Sequence, residues 1–234
     1  MPDSLDEAYV IQDVAIELAE AQVLGWKLAL IAPEVRDRWP AERIAGPVFV
    51  VEQGDDAIPE LPLFARGYAA AEAEFQLRIG HVPTGAAVTM EEAADAIDMV
   101  SIGIEAAGSP FAGINQHGPA VTISDFGNNN GIVIGCPIHD WRNCGATPLS
   151  VTSRINGAVV GTGNIADLFS GPIAAARFLF ELSARRGISL APGQWISSGA
   201  ITGAHQVRPG DHFEAHFGDI GYVSSRFSEQ RSQC

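Results

Sequence analysis

Nine consecutive residues, Ala71-Glu72-Ala73-Glu74-Phe75-Gln76-Leu77-Arg78-Ile79, alternate without a fault. Ala71, Ala73, Phe75, Leu77 and Ile79 fall on one side; Glu72, Glu74, Gln76 and Arg78 fall on the other. A period of two belongs to a strand, because a helix would scatter these apolar residues around its axis. The segment is therefore read as a half-buried strand that carries a pair of carboxylates on its polar face.

Other elements follow from local chemistry. Ser4 and Glu7 form a capping-box pattern, and Ile11, Val14 and Leu18 recur at helical spacing. This predicts a helix over about 4–24, with Gly25 as its stop. Thr89 and Glu92 repeat the capping box before a helix to about Asp98. A third helix is expected at about 172–186, with Pro172 near its start and Gly187 past its end. Strands are expected at 26–31, 47–52, 102–105, 120–125, 131–136, 194–198, 212–217 and 221–227. Two more, at 148–154 and 158–162, flank Asn156-Gly157, a strong hairpin signal. Many short strands and few helices argue a β-rich α+β fold. No repeat or linker divides the chain, so 1–234 reads as one domain.

Charge excludes several roles. Residues 1–117 hold 20 acids and six bases, whereas residues 118–234 hold eight of each. A net charge of −14 gives no electrostatic footprint for a phosphate backbone or an anionic membrane. The start of the chain lacks the basic and apolar regions of a signal peptide, and no apolar run is long enough to span a bilayer. A cytoplasmic protein is expected. Cys136 and Cys144, with His139 between them, lack the close ligand pairs of a zinc motif and read as plain thiols.

Three places could carry chemistry. Glu72 and Glu74 lie two apart on a strand, so their Cβ atoms are ~7 Å apart on one face. Unpaired carboxylates so close repel, and a hard dication such as Mg2+, Mn2+ or Ca2+ would relieve them. Spacing alone still favours a solvated strand face. Glu105 stands in the apolar stretch 102–108, either at a strand end or turned towards a site. Lys27, the only lysine of the chain, sits in an apolar strand. Burial would lower its pKa and fit it for proton transfer; the other reading is an ammonium that reaches solvent from an edge strand. Asp125 could line a pocket or be a turn residue.

Taken in order, these segments resemble the 2-keto-4-pentenoate hydratase branch of the fumarylacetoacetate hydrolase superfamily. The likeness is carried by Ala8-Tyr9-Val10-Ile11-Gln12, Gly25-Trp26-Lys27-Leu28, Ala71-Glu72-Ala73-Glu74-Phe75 and Gly103-Ile104-Glu105. It continues through Asn156 to Gly193, Ser198-Gly199-Ala200, Pro209-Gly210-Asp211 and Gly218-Asp219-Ile220-Gly221. The resemblance implies a mixed β-sandwich or roll with a few flanking helices, and a homo-oligomer. It implies Mg2+ or Mn2+ held by Glu72, Glu74 and Glu105, and a small 2-oxo or enol acid as substrate. On that reading Lys27 and Glu72 are catalytic, and Ser198, Gly199 and Asp125 face the substrate.

The implied reaction adds water to a 2-hydroxy-dienoate or 2-oxo-enoate to give a 4-hydroxy-2-oxo acid. Ala106-Ala107-Gly108-Ser109 and the segment Ala29 to Pro33 depart from the family pattern near the pocket. They leave alternatives open: a 2-oxo-enedioate decarboxylase, an acylpyruvate-type carbon–carbon hydrolase, or a non-catalytic partner subunit. No histidine precedes His81, which counts against the hydrolase.

Overall fold

A computed structural model describes residues 1–54, 58–143 and 149–230. In chain order the elements are α1 (Leu5–Leu18), β1 (Gly25–Leu30), β2 (Arg43–Val48), β3 (Val51–Gln53), β4 (Glu60–Leu63), β5 (Tyr68–Ile79), α2 (Met90–Asp95), β6 (Ile97–Ser109) and α3 (Pro119–Ser124). There follow β7 (Asn129–Pro137), β8 (Leu149–Ile155), β9 (Ala158–Ile165), α4 (Ala174–Arg186), β10 (Trp195–Ser197), β11 (His205–Gln206), β12 (His212–Phe217) and β13 (Gly221–Glu229).

The strands form two mixed sheets. The first runs β2-β1-β10-β5-β6-β7-β3, with β11 also paired to β5. The second runs β4-β13-β12-β8-β9. The pairs β1–β10, β3–β7 and β4–β13 are parallel. This is the strand-rich α+β architecture expected from the pattern. Phe75 of β5 meets Phe217 of β12 with ring centroids 5.4 Å apart, which joins one sheet to the other. Phe75, Phe213 and Phe217 are fully buried, each contributing roughly 1.5–3 kcal/mol.

The alternating strand is more enclosed than its pattern suggested. Its apolar face is buried from Ala71 to Ile79, but Glu74 and Gln76 on the polar face are buried too. The 3-10 turn Phe126–Asn128 packs on β1, β2 and β6 of the same sheet. The hairpin forms as expected: Asn156 and Gly157 both take positive φ, 50° and 83°, as a two-residue primed turn requires.

Other segments differ from expectation. The 120–125 segment is helix α3, not a strand. Its β-branched Val121, Thr122 and Ile123 mimic strand propensity, but Pro119 starts a helix and Ala120 and Ile123 are buried. Buried Gln12 of α1 locks it in place, donating to the carbonyls of Ile123 (2.8 Å) and Ala45 (3.0 Å). The 47–52 segment is broken after Val48, because β2 pairs with β1 whereas β3 pairs with β7.

Helix α1 ends at Leu18, and Glu20 follows with φ 50°. Gly25 is not its stop but the first residue of β1, where a Cβ would lie 2.4 Å from the Trp195 carbonyl oxygen. The buried face of α1 is Ala8, Tyr9 and Gln12, while Val10, Ile11, Val14 and Leu18 are exposed. Pro172 lies inside a π-turn, Phe169–Ile173, ahead of α4; Gly187 ends α4 with φ 70°. Cys136 is exposed, and Cys144 and residue 148 lie outside the described residues. No helix among the described residues is long and apolar enough to cross a membrane.

Gly46 sets the approach of the 126–128 turn to β2. A Cβ there would fall 2.2 Å from the Phe126 carbonyl oxygen, a contact that backbone must move to relieve. Gly46→Ala is expected to destabilise the fold by about 1–3 kcal/mol. Gly171→Ala, with nothing within 4 Å of the added methyl, should stay near the wild type when both variants are compared by denaturant titration.

Candidate functional site

The site is built by strand register. On β5, Glu72 and Glu74 share a face by the period of two. The antiparallel pairing of β5 with β6 sets Glu72 opposite Glu105 and Glu74 opposite Gly103. Gly103 is needed there, since a Cβ would come 2.3 Å from Gln76 Cγ. On the other flank, β10 sets Ser197 opposite Gln76, and β1 sets Lys27 opposite Ser197. Three carboxylates and one ammonium thus converge from three strands, with the β10 hydroxyl beside them.

Carboxylate oxygens of Glu72, Glu74 and Glu105, one from each residue, lie within 4.8 Å of one another. Glu74 and Glu105 are fully buried. Lys27 Nζ is 3.2 Å from Glu105 Oε1, and Asn129 Nδ2 donates to the same oxygen at 3.0 Å. The Ser197 hydroxyl (2.5 Å) and the Gly199 amide (3.0 Å) donate to Glu74 Oε2. Glu74 Oε1 and Glu105 Oε2 are buried without any hydrogen-bond partner.

Those two orphaned oxygens test whether a metal fits. Buried carboxylate oxygens without donors are costly, and Lys27 supplies one positive charge against three negative ones. Oxygen-only donors suit a hard cation, so Glu72, Glu74 and Glu105 fit Mg2+ or Mn2+. The electrostatics agree. Burial, then the Glu105 charge, pushes the carboxyl of Glu72 from 4.5 to about 7. The same two causes raise Glu74 well above the usual carboxylate range. Lys27 departs from expectation: burial alone would lower its pKa, but Glu105, Glu72 and Glu74 outweigh burial and raise it. It is an ammonium held in an ion pair, not a lysine made neutral by desolvation.

Two cavities share Ala29, Leu30 and Glu72 in their linings. One, of about 330 Å³, also holds Arg43, Ser198, Gly199 and Ile201. The other, of about 460 Å³, holds Lys27, Ile31, Trp39, Tyr68, Asn115 and Asn128. Ser198 and Gly199 thus stand beside Glu72 as expected. Asp125 does not line either cavity; it ends α3, and its carbonyl accepts from the Asn128 amide at 2.8 Å. Burial raises its carboxyl, and the Ser109 hydroxyl offsets part of that. No histidine lines either cavity.

Sequence reasoning did not find Arg43, Tyr68, Ser197 or Asn129. Ser197 and Asn129 are donors brought in by pairing between distant strands, and no local pattern marks them. Gln76 was visible in the alternation and donates to Ser197 Oγ at 2.9 Å.

Comparisons with known proteins bear on the family and the fold. The family described as Fumarylacetoacetate (FAA) hydrolase C-terminal matches residues 31–228. The chain is 28% identical over 236 residues to a 2-keto-4-pentenoate hydratase of Paraburkholderia xenovorans (strain LB400), covering 98% of this chain and 87% of that protein. Its fold is similar to that of a 4-oxalocrotonate decarboxylase from Pseudomonas putida G7, complexed with magnesium and adipate. That match has a TM-score of 0.77 at 23% identity and covers 96% of this chain and 86% of the other. A fumarylpyruvate hydrolase from Pseudomonas aeruginosa, in complex with Mn2+ and pyruvate, matches with TM-score 0.62 at 15% identity, covering 88% and 89%.

A pH dependence follows from Glu72. A carboxyl whose pKa rises from 4.5 to about 7 on folding stabilises the metal-free fold at low pH, and that stability is lost as pH rises through this window. A metal must displace the same proton, so its binding strengthens over the same range. Saturating Mg2+ is therefore expected to raise the melting temperature, relative to EDTA, more at about pH 8 than at about pH 5.5. Equal gains at both pH values would contradict this.

Proposed function

Because the chain belongs to the fumarylacetoacetate hydrolase C-terminal family, we propose that it is a metal-dependent hydratase of small 2-oxo acids. The substrate is a 2-hydroxy-dienoate or 2-oxo-enoate, and the product a 4-hydroxy-2-oxo acid, one water molecule being gained. The observation that carries this is the buried Glu72–Glu74–Glu105 cluster, ion-paired to Lys27 and open to two cavities through Glu72. Bound by those carboxylates, Mg2+ or Mn2+ would supply Lewis acidity, drawing electrons from a 2-oxo group and offsetting the substrate's charge.

The chain's own residues do the rest. The Lys27 ammonium, fixed by Glu105 and lining one of the two cavities, is read as a charged hydrogen-bond donor to the substrate carboxylate. Glu72 is the member of the cluster that lines both cavities. Ser198 and Gly199 form the wall beside it. The Gly199 amide and Ser197 hydroxyl keep Glu74 from rotating. Apolar Ile31, Val35 and Ile44 line the Lys27 cavity. The reading takes the whole chain as one catalytic unit, since residues from β1 to the loop after β10 meet at this site. It also includes self-association, supported by the exposed apolar row Val10, Ile11, Val14 and Leu18 on α1.

A second reading is loss of carbon dioxide from a 2-oxo-enedioate, supported by the likeness to the decarboxylase from Pseudomonas putida G7. A His-assisted carbon–carbon hydrolase is disfavoured, because neither cavity offers a histidine.

The test is turnover of 2-hydroxypenta-2,4-dienoate, followed by loss of diene absorbance and by product mass. Activity should require Mg2+ or Mn2+ and vanish with chelator. Lys27→Met should lower kcat/KM by about 10²-fold while the protein stays folded. Glu72→Gln should abolish the metal-dependent turnover. Full activity of Glu72→Gln in excess chelator would overturn the proposal.

A further inference from the structure

Arg43, the first residue of β2, is a cation the proposed chemistry leaves unused. It is 5% exposed. Its Nε is buried and makes no hydrogen bond, its nearest carboxylate being Glu42 Oε1 at 3.5 Å on a half-exposed side chain. A guanidinium carries five donors and cannot lose its charge, so burying one with a free donor is costly unless something else occupies it. A strut for β2 alone would be saturated by backbone carbonyls.

Its position indicates what the rest of the guanidinium can meet. Arg43 lines the 330 Å³ cavity with Glu72, Ser198 and Gly199. A Cβ on Gly199 would stand 3.9 Å from Arg43 Nη1, and the Gly199 amide itself holds Glu74. Arg43 also lines a groove of about 700 Å³, together with Arg38, Arg185 and Arg186. Of the four arginines of that groove, only Arg43 also lines a cavity that holds Glu72. The other cavity at Glu72 has its own buried cation, Lys27. Each of the two cavities at Glu72 thus holds one buried cation.

We propose that Arg43 is a specificity-determining residue that binds the distal carboxylate of the substrate, so that this chain acts on 2-oxo dicarboxylic acids. The inference rests on the reading of the site as one for 2-oxo acids. The 2-oxo end lies at the carboxylate cluster and Lys27. The far carboxylate enters the 330 Å³ cavity and meets the planar guanidinium, which matches it with paired hydrogen bonds.

Saturated acids that cannot be hydrated separate the two readings. Binding of 2-oxoadipate and 2-oxohexanoate, and of 2-oxoglutarate and 2-oxopentanoate, is measured by calorimetry on the Mg2+-loaded protein. The wild type is expected to prefer the diacid of at least one pair by about tenfold or more. Arg43→Met should collapse that ratio towards one, and Arg43→Lys should keep part of it. A wild type that binds monoacid and diacid alike overturns the inference and leaves the 2-oxo acid site standing. So does an Arg43→Met variant that weakens both acids in proportion, the mark of a strut. Should Arg43→Met fail to fold, the wild-type ratio and Arg43→Lys still decide. If the wild type binds none of the four acids, the 2-oxo acid reading itself falls, and the diacid inference with it.

Discussion

Three carboxylates in a protein interior repel one another and lose their hydration together, and most of what is ordered around them answers that problem. Lys27 pairs with Glu105, Asn129 adds a donor, and Ser197 and Gly199 saturate one oxygen of Glu74. Even so, two buried oxygens keep no partner. The cluster is thus satisfied in part from the protein side, and a dication is the species we propose to complete it. The raised carboxyls of Glu72 and Glu74 express the same unbalanced charge in another way.

The scaffold is arranged to hold this arrangement rigid. Long antiparallel β5 and β6 fix the cluster by register, so a one-residue slip of β5 would turn Glu72 and Glu74 away from Glu105. Short β10 inserts between β1 and β5 and brings the loop that carries Ser198 and Gly199. Glycines at 46 and 103 leave space that side chains would fill. The second sheet packs on the opposite face through Phe75 and Phe217 and makes no contribution to the cluster.

Much of this was legible in the sequence, for reasons tied to range. The period of two at 71–79 gave the strand and the shared face of Glu72 and Glu74. The Asn156-Gly157 turn and the Thr89–Glu92 capping box are local devices, and both formed. What failed depended on distant partners. Val121-Thr122-Ile123 has strand propensity, yet Gln12, more than a hundred residues away in the chain, anchors it as helix. Ile11, Val14 and Leu18 have helical spacing but face out, because α1 docks through Tyr9 and Gln12 instead. Lys27 was singled out by its rarity, but the sign of its shift came from carboxylates on other strands. Arg43 carried no local signal at all.

The charge asymmetry of the chain also takes on a physical meaning. Its acidic first half contains all three cluster carboxylates, and its few cations include Lys27 and Arg43, both buried beside them. An anionic substrate is thus compatible with a net −14, because the local field is set by these cations and by the ion the carboxylates fit. Direct titration of Mn2+ into the chelator-stripped protein, read by electron paramagnetic resonance, addresses this most simply. One tightly held Mn2+ per wild-type chain, lost in a folded Glu74→Gln variant, is the expected result; a folded wild type that takes up no Mn2+ would contradict the dication reading of the buried carboxylates.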